Sequence, residues 1–370
     1  MRPLLVAASA LALLTAVSQP AIPQAQPRPA MAASADALTL PAPKAGRSRP
    51  LVVVVAENGG AETTDFVVPY GILKESGVAD VRSLSTGPGP VQLLRQLKVE
   101  TDATLAAFDK AEPLGADVVI VPAQGAPKDP VLGAWVRAQA AKGATVVSVC
   151  EGARVLAHAG LLKGRRAVTH WSAMKSLAKS YPETTWVRDR SYVQDGPIIS
   201  TAGVTAAIPM SLALVEAIAG RAAAQATARK IGVDHWGAAH RSDAFELTKG
   251  DLAGGVMTLA AFWSHETVEL PVQDGVDEVA LALRADAWGR SMRAKLVTTH
   301  SGRAAVRSRH GLVILPDAEP RPGAYTMRVD GRGAVTQLDA TLDEMGRRYG
   351  PASVRLAQLG MEYGAPDMGR

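Results

Sequence analysis

Apolar residues run unbroken through Leu51–Ala56 (LVVVVA), through Val118–Val121 inside the stretch Asp117–Pro122, and through Val146–Val149 apart from Ser148. Unbroken β-branched runs of this length predict strands covered on both faces, as in a parallel sheet with helices on either side. Elsewhere the spacing is helical. Thr64–Gly77 turns Phe66, Val67, Tyr70 and Leu73 to one face, and Val131–Ala141 does the same with Leu132, Trp135 and Val136. Met174–Ser180 reads as a further helix, and Gly203–Ala219 as a long apolar one continuing through Gln225–Ile231. Val78–Leu84 and Ile198–Ser200 read as strands, Leu97–Val99 as an edge strand, and Trp186–Asp189 with Tyr192–Val193 as a hairpin around Asp195-Gly196. Strands alternating with helices predict a doubly wound, flavodoxin-like α/β sandwich with helices on both faces of a parallel sheet. In such sheets the ligand crevice lies at the carboxyl ends of strands, here the loops after Ala56, Pro122 and Val149.

The third run leads into the most informative corner. Cys150-Glu151-Gly152 follows the strand directly, and Val155, Leu156, Ala159, Leu161 and Leu162 then recur at helical spacing. A residue at a strand-to-helix turn points outward beside free helical N–H groups, where a thiolate is exposed and stabilised. Cys150 is also the only cysteine in the 370 residues. The competing reading is a buried, inert thiol, since free cysteine is among the most buried residue types. No internal disulfide can form from a single cysteine.

Composition narrows the class. Hydrophobic residues make up 47% of the chain, which places it among globular proteins with a substantial core. The net charge of +5 is spread along the sequence without a basic run, a weak pointer to nucleic acid. Arg2 precedes an apolar stretch from Leu4 to Val17 that ends in the small-x-small sequence Ala16-Val17-Ser18. This is the layout of a secretory signal over residues 1–18, with a periplasmic or extracellular destination; the alternative is an uncleaved anchor. The run is short for a membrane span, so none is expected after its removal. Residues 19–49, rich in Pro, Ala and Ser, read as a flexible tether. His235 and His240 have the wrong spacing to share one helix face, so no metal site is expected. Gly87-Pro88-Gly89 lacks the context of a phosphate loop, and the chain has no Gly-x-Ser-x-Gly elbow.

Ser148–Trp171 (SVCEGARVLAHAGLLKGRRAVTHW) and Tyr192–Gly220 (YVQDGPIISTAGVTAAIPMSLALVEAIAG) carry a family resemblance. From Leu51 to about Val233 the chain resembles the DJ-1/PfpI family of the class I glutamine-amidotransferase-like superfamily. It is nearest the branch of isonitrile hydratases and the sensor domains of AraC-type transcription regulators. The resemblance implies a cofactor-free site with Cys150 as the elbow nucleophile, Asp65 as the acidic group set against its sulfur, and His170 as the histidine near the cysteine. It also implies an oxyanion pocket from the N–H groups of Gly125, beside Gln124, and of Glu151. Three positions depart from the family pattern: Glu151 stands for the hydratases' Thr, Gln124-Gly125 for Gly-Gly, and Ala207-Ile208-Pro209 for Gly-Ile-Asp. The implied activity is hydrolase- or hydratase-type attack on a small electrophilic molecule. The alternative is a non-catalytic module that binds a small ligand or senses oxidant through Cys150. No helix-turn-helix pair follows the domain, which with the export signal argues against a nucleic-acid partner.

The last third echoes the first domain. At a shift of 215 positions Val81–Gly87 falls on Leu296–Gly302, Leu97 on Leu312, Val99 on Ile314, Asp102-Ala103 on Asp317-Ala318 and Gly60 on Gly275. Residues 268–364 therefore read as a smaller, degenerate second copy of the α/β unit, after the main domain at 50–235 and a linker with a helix at 236–267. Asp65 falls on Ala280 and Cys150 on Ala365, so the copy is expected to be non-catalytic. Its expected work is to cover the first domain or to mimic the partner of a homodimer, with Phe262 and Trp263 of the linker as packing anchors.

Overall fold

The run Leu51–Ala56 forms β1, buried along its whole length, and β2 (Ala61–Glu62) leads into α1 (Thr63–Ser76). β3 (Asp80–Ser85), β4 (Val91–Leu94), β5 (Lys98–Glu100) and β6 (Ala103–Thr104) precede α2 (Leu105–Ala111). The other apolar runs become β7 (Val118–Val121) and β8 (Thr145–Ser148), with α3 (Pro130–Ala141) between them. Then come α4 (Ala153–His158), β9 (Arg166–Ala167), α5 (Trp171–Ser180) and β10 (Thr185–Trp186). β11 (Tyr192–Asp195), β12 (Ile198–Thr201), α6 (Ala207–Ala219) and α7 (Arg221–Ile231) complete the first part. The main sheet has the order β11-β12-β8-β7-β1-β3-β6, parallel throughout except for the β11–β12 hairpin. This is a flavodoxin-like α/β fold.

In this computed structural model the described residues are 37–94, 97–251 and 266–364. The expected signal, the first part of the tether, Phe262, Trp263 and Ala365 lie outside them. Among the described residues no helix is long and apolar enough to cross a membrane.

Four local expectations change. Gly220, at φ 83, splits the long apolar helix into α6 and α7. The hairpin pairs Tyr192–Asp195 with Ile198–Thr201 across Gly196, while Trp186 pairs in parallel with Ala167. β5 lies in a second sheet, not at the edge of the main one. The stretch before β1 is no free tether over its last residues. Lys44 and Arg47 both bind Asp117, whose carboxylate also accepts the Leu51 N–H, and Thr39 exchanges hydrogen bonds with Gln194. Half-buried charge pairing and main-chain acceptors fix this strap where composition alone suggested freedom.

The rest of the chain is β13 (Glu266–Pro271), α8 (Glu278–Gly289), β14 (Ala294–Thr299), β15 (Val306–Arg307), β16 (Val313–Ile314), β17 (Tyr325–Thr326), α9 (Ala334–Tyr349) and α10 (Pro351–Met361). It belongs to the same compact unit as the first part. α8 is buried on every face, with only Arg284 and Gly289 outside the buried set, as expected of a helix enclosed by protein. It packs on α1 so closely that a Cβ at Gly71 would come 2.3 Å from Val279. β16 joins β5, with Ile314 opposite Val99, so the sheet β15-β16-β5-β4-β2 draws strands from both ends of the chain. Pairings recur at the 215-residue shift. Val91 faces Val99 and Gln92 faces Lys98; Val306 faces Ile314 and Arg307 faces Val313. Asp102 accepts from the N–H and hydroxyl of Ser83, and Asp317 from the N–H and hydroxyl of Thr298.

One ionic clamp ties α1, α7 and α8 together. His310 sits between Glu278 and Glu75, at 2.5 and 3.0 Å, and Lys230 meets Glu75 at 2.5 Å. Burial pulls the imidazole pKa down, but the two carboxylates outweigh it and the net shift is upward. Its contribution is therefore complete below the unfolded value near 6.5 and fades as pH rises through the raised folded value. Thermal melts should show falling stability from pH 6 to pH 8, with a shallower slope in His310→Asn; identical slopes would refute the clamp.

Candidate active site at Cys150

β8 ends one residue before Val149, and Cys150 then takes φ 58, a left-handed conformation that side chains rarely adopt. Neighbouring strand ends hold it there. The Cys150 N–H donates to Thr201 Oγ1 (3.1 Å), the Thr169 hydroxyl donates to the Cys150 carbonyl (2.9 Å), and the Val149 N–H reaches the Val121 carbonyl. A short 3-10 turn, Cys150–Gly152, passes into α4. Gly152 is obligatory, because a Cβ there would stand 2.1 Å from the Val121 carbonyl oxygen.

The thiol is 4% exposed, which corrects the expectation of an outward-facing group. It lies in an apolar cluster that includes Val204, Ile208 and Met361. Its electrostatics also reverse the expectation from the helix N-terminus. Burial pushes the Cys150 pKa well above its usual value, the charges of Asp65, Glu151 and Glu62 push it further, and Arg290 opposes them.

Asp65 stands in the first turn of α1, fully buried. Its Oδ2 accepts the Ala123 N–H at 3.0 Å, while Oδ1 has no hydrogen-bond partner. Burial raises its pKa to about 7, against the Ala123 hydrogen bond that favours the carboxylate. Glu62 caps α1 by accepting the Asp65 N–H (2.7 Å) and receives Arg290 at 3.0 Å. Arg290 also grips both oxygens of Asp286 (2.8 and 3.1 Å), which accepts the Thr64 hydroxyl. Burial first, then the charges of Asp286 and Asp65, raise the Glu62 pKa well above the carboxylate range. The second α/β segment thus supplies the site's buried cation.

The other expected residues are engaged differently. His170 caps α5. Its Nδ1 accepts the Ser172 N–H, and its Nε2 lies 3.3 Å from the Gly360 carbonyl, an arrangement that suits a neutral ring protonated on Nε2. Burial lowers its pKa, partly offset by Glu362. Burial would raise the Glu151 carboxyl, but hydrogen bonds from Arg154 and Ser172 bring it below its ordinary range, so it stays anionic. Gly125 cannot serve as the oxyanion donor in this arrangement, because its N–H is bound to the Gly60 carbonyl at 2.7 Å. Gln124 is a brace: its Oε1 accepts the Glu57 N–H and its Nε2 donates to the Val55 and Pro122 carbonyls.

This elbow cysteine and buried acid lie within residues 51–217, which the DJ-1/PfpI family model matches. The chain belongs to the DJ-1/PfpI family. It is 34% identical over 166 residues to the isonitrile hydratase of Pseudomonas putida, a match covering 44% of this chain and 69% of the hydratase. It is 38% identical over 137 residues to an uncharacterised protein of Streptomyces lividans, covering 35% of this chain and 94% of that protein. To the HTH-type transcriptional regulator CdhR of Pseudomonas aeruginosa it is 36% identical over 132 residues, 36% of this chain but only 38% of the regulator's length. The family assignment made from the two motifs holds.

Sequence reasoning missed Glu62, Asp286, Arg290, His240 and Glu362. Glu62, three residues before Asp65, carries the spacing of a helix cap. The other four reach the site only through tertiary packing.

Proposed function

We propose that this chain is a cysteine-dependent enzyme of hydrolase or hydratase type, acting on a small electrophilic molecule such as an isonitrile, an amide or a reactive aldehyde. The observation that carries the reading is the buried Asp65 carboxyl, with Oδ1 lacking a hydrogen-bond partner and a pKa of about 7, near enough to the elbow thiol for its charge to oppose the thiol's ionisation. The thiol reacts from its neutral form. As the sulfur–carbon bond forms, Asp65 passes its proton to the substrate and takes up the thiol proton, so that S–H adds across an aldehyde C=O, at the terminal carbon of an isonitrile, or across an amide carbonyl, whose C–N bond then breaks with the amine leaving protonated. Water then displaces the sulfur, and the proton returns along the same carboxyl. The Glu151 N–H, at the start of the elbow helix, is the proposed partner of the developing negative charge. In a screen of small electrophiles, Cys150→Ser should abolish turnover with an unchanged melting temperature. Asp65→Asn should lower it roughly 10²–10⁴-fold. Turnover retained in Cys150→Ser sinks the assignment. The thiol's burial favours one second reading, a ligand-binding module without turnover, marked by ligand-dependent stabilisation and no product in the same screen.

We infer as well that residues 268–364 are a truncated second copy that stands where a homodimer partner would. The recurring strand pairings and the Ser83–Asp102 and Thr298–Asp317 hydrogen bonds support this, as does the β5–β16 junction between the two copies. The signal-like sequence of residues 1–18 supports export to the periplasm or beyond.

A further inference from the structure

Glu362 follows α10 in a left-handed conformation (φ 52, ψ 52) and is 2% exposed. Its Oε1 accepts the Trp171 N–H at 2.8 Å and its Oε2 accepts the Gly203 N–H at 2.9 Å. His240 Nε2 lies 2.8 Å from Oε2, and His170 Nε2 lies 3.8 Å from Oε1. The segment carrying Glu362 is held in the same way. Trp171 Nε1 donates to the Leu359 carbonyl, and the Thr205 hydroxyl donates to the Glu362 carbonyl. The N–H and hydroxyl donors Trp171, Gly203 and Thr205 belong to the first α/β part, His240 to the stretch that follows it, and the acceptors to Leu359–Glu362. The interaction has the form of a domain holding an acidic peptide, with charge-assisted N–H bonds to a desolvated carboxylate.

The cradle flanks the elbow on both sides. Trp171 is two residues beyond Thr169, which holds the Cys150 carbonyl, and Gly203 is two residues beyond Thr201, which holds the Cys150 N–H. A pocket bordered by Thr169, Trp171 and Glu362 opens beside it. Only glycine admits the carboxylate, since a Cβ at Gly203 would stand 2.5 Å from Glu362 Cδ. A non-glycine residue in the left-handed region is strained, so docking of the carboxylate must offset that strain.

We propose that the Trp171 and Gly203 N–H groups with His240 form a carboxylate-binding site beside the Cys150 elbow, that its ligands are small carboxylate-bearing molecules, and that Glu362 is a built-in occupant which such a ligand displaces. The placement in a reaction rests on the Cys150 assignment, but the binding is measured without turnover and persists in Cys150→Ser.

Glu362→Gly empties the cradle and installs the residue that the left-handed conformation prefers. Formate and acetate at millimolar concentration should raise the melting temperature of this variant saturably, and acetamide should not. Wild-type protein should not respond over the same range. Adding Gly203→Ala, which fills the cradle with a methyl group, should abolish the response. Iodoacetamide should label Cys150 at least tenfold faster in Glu362→Gly than in wild type, and acetate should slow it. A folded Glu362→Gly variant without a saturable carboxylate response overturns the proposal. So does a response kept with Gly203→Ala or matched by acetamide. Should Glu362→Gly show no cooperative melt, Glu362→Gln preserves the side-chain shape and sets an amide against the donors. It should then label faster than wild type, and an unchanged rate overturns the proposal. Loss of turnover in Cys150→Ser together with no carboxylate binding would leave the enzyme assignment standing and remove only the subsite.

Discussion

Arg290→Met is expected to destabilise the fold by roughly 3–5 kcal/mol, the usual consequence of leaving buried charge without its partner. Arg290 is the cation shared by Glu62, the cap before α1, and Asp286 of α8, and it sits just after α8 itself. Without it the remaining carboxyls take up protons to avoid burial as anions. Glu62 and Asp65 already have raised folded pKa values, so the native state binds more protons than the unfolded chain above about pH 4, and stability falls as pH rises. The penalty of Arg290→Met should therefore be larger at pH 8 than at pH 5. Melting temperatures at the two pH values check this, with a drop of roughly 5–10 °C or more expected at pH 8. The Cys150 thiol, deprived of the positive charge that favours its thiolate, should also label more slowly. Asp286→Asn added to Arg290→Met should recover part of the stability, because it removes one stranded charge. A change of less than about 1 kcal/mol at pH 8 would mean that the cluster is solvated and that the second segment does not act on the thiol.

Gly152→Ala should destabilise by roughly 3 kcal/mol or more, because the added methyl meets main chain instead of a side chain that can rotate away. The Val121 carbonyl it would strike, at 2.1 Å, accepts the Val149 N–H and so belongs to the β7–β8 ladder. Relief requires α4 to move outward, which carries the elbow with it. The melting temperature should fall, and Cys150 labelling should change with it. Gly133→Ala is the control. Gly133 lies within α3, a Cβ there would meet only the tip of Arg137 at 3.9 Å, and the substitution should be neutral or stabilising by about 0.5–1 kcal/mol. Equal effects at the two glycines would disprove close approach as the reason for Gly152.

The three apolar runs were legible as central strands because unbroken β-branched sequence suits only a strand covered on both faces, and β1, β7 and β8 are buried throughout. The elbow was legible for the same reason: a buried strand followed at once by helical spacing leaves one residue for the corner. Asp65 was placed by its match to the family motif. Gly125 shows where such reading stops. A glycine in a turn signals a close approach, but only the fold reveals that its N–H is already given to Gly60. The break at Gly220 was missed because the apolar spacing continues on both sides of a residue whose φ of 83 ends the helix.

By itself the sequence determined the parallel core, the corner at Cys150 and the family, since each depends on residues near one another in the chain. Tertiary structure alone decided that the thiol is buried and its ionisation opposed. The burial comes from packing against residues such as Val204, Ile208 and Met361, and the opposing charges are those of Asp65 and Glu62, far from the thiol in sequence, with neighbouring Glu151. They meet at the elbow because Asp65 at the start of α1 binds the Ala123 N–H beyond β7, while Arg290 beyond α8 holds Glu62, and burial there makes each charge felt through protein instead of water.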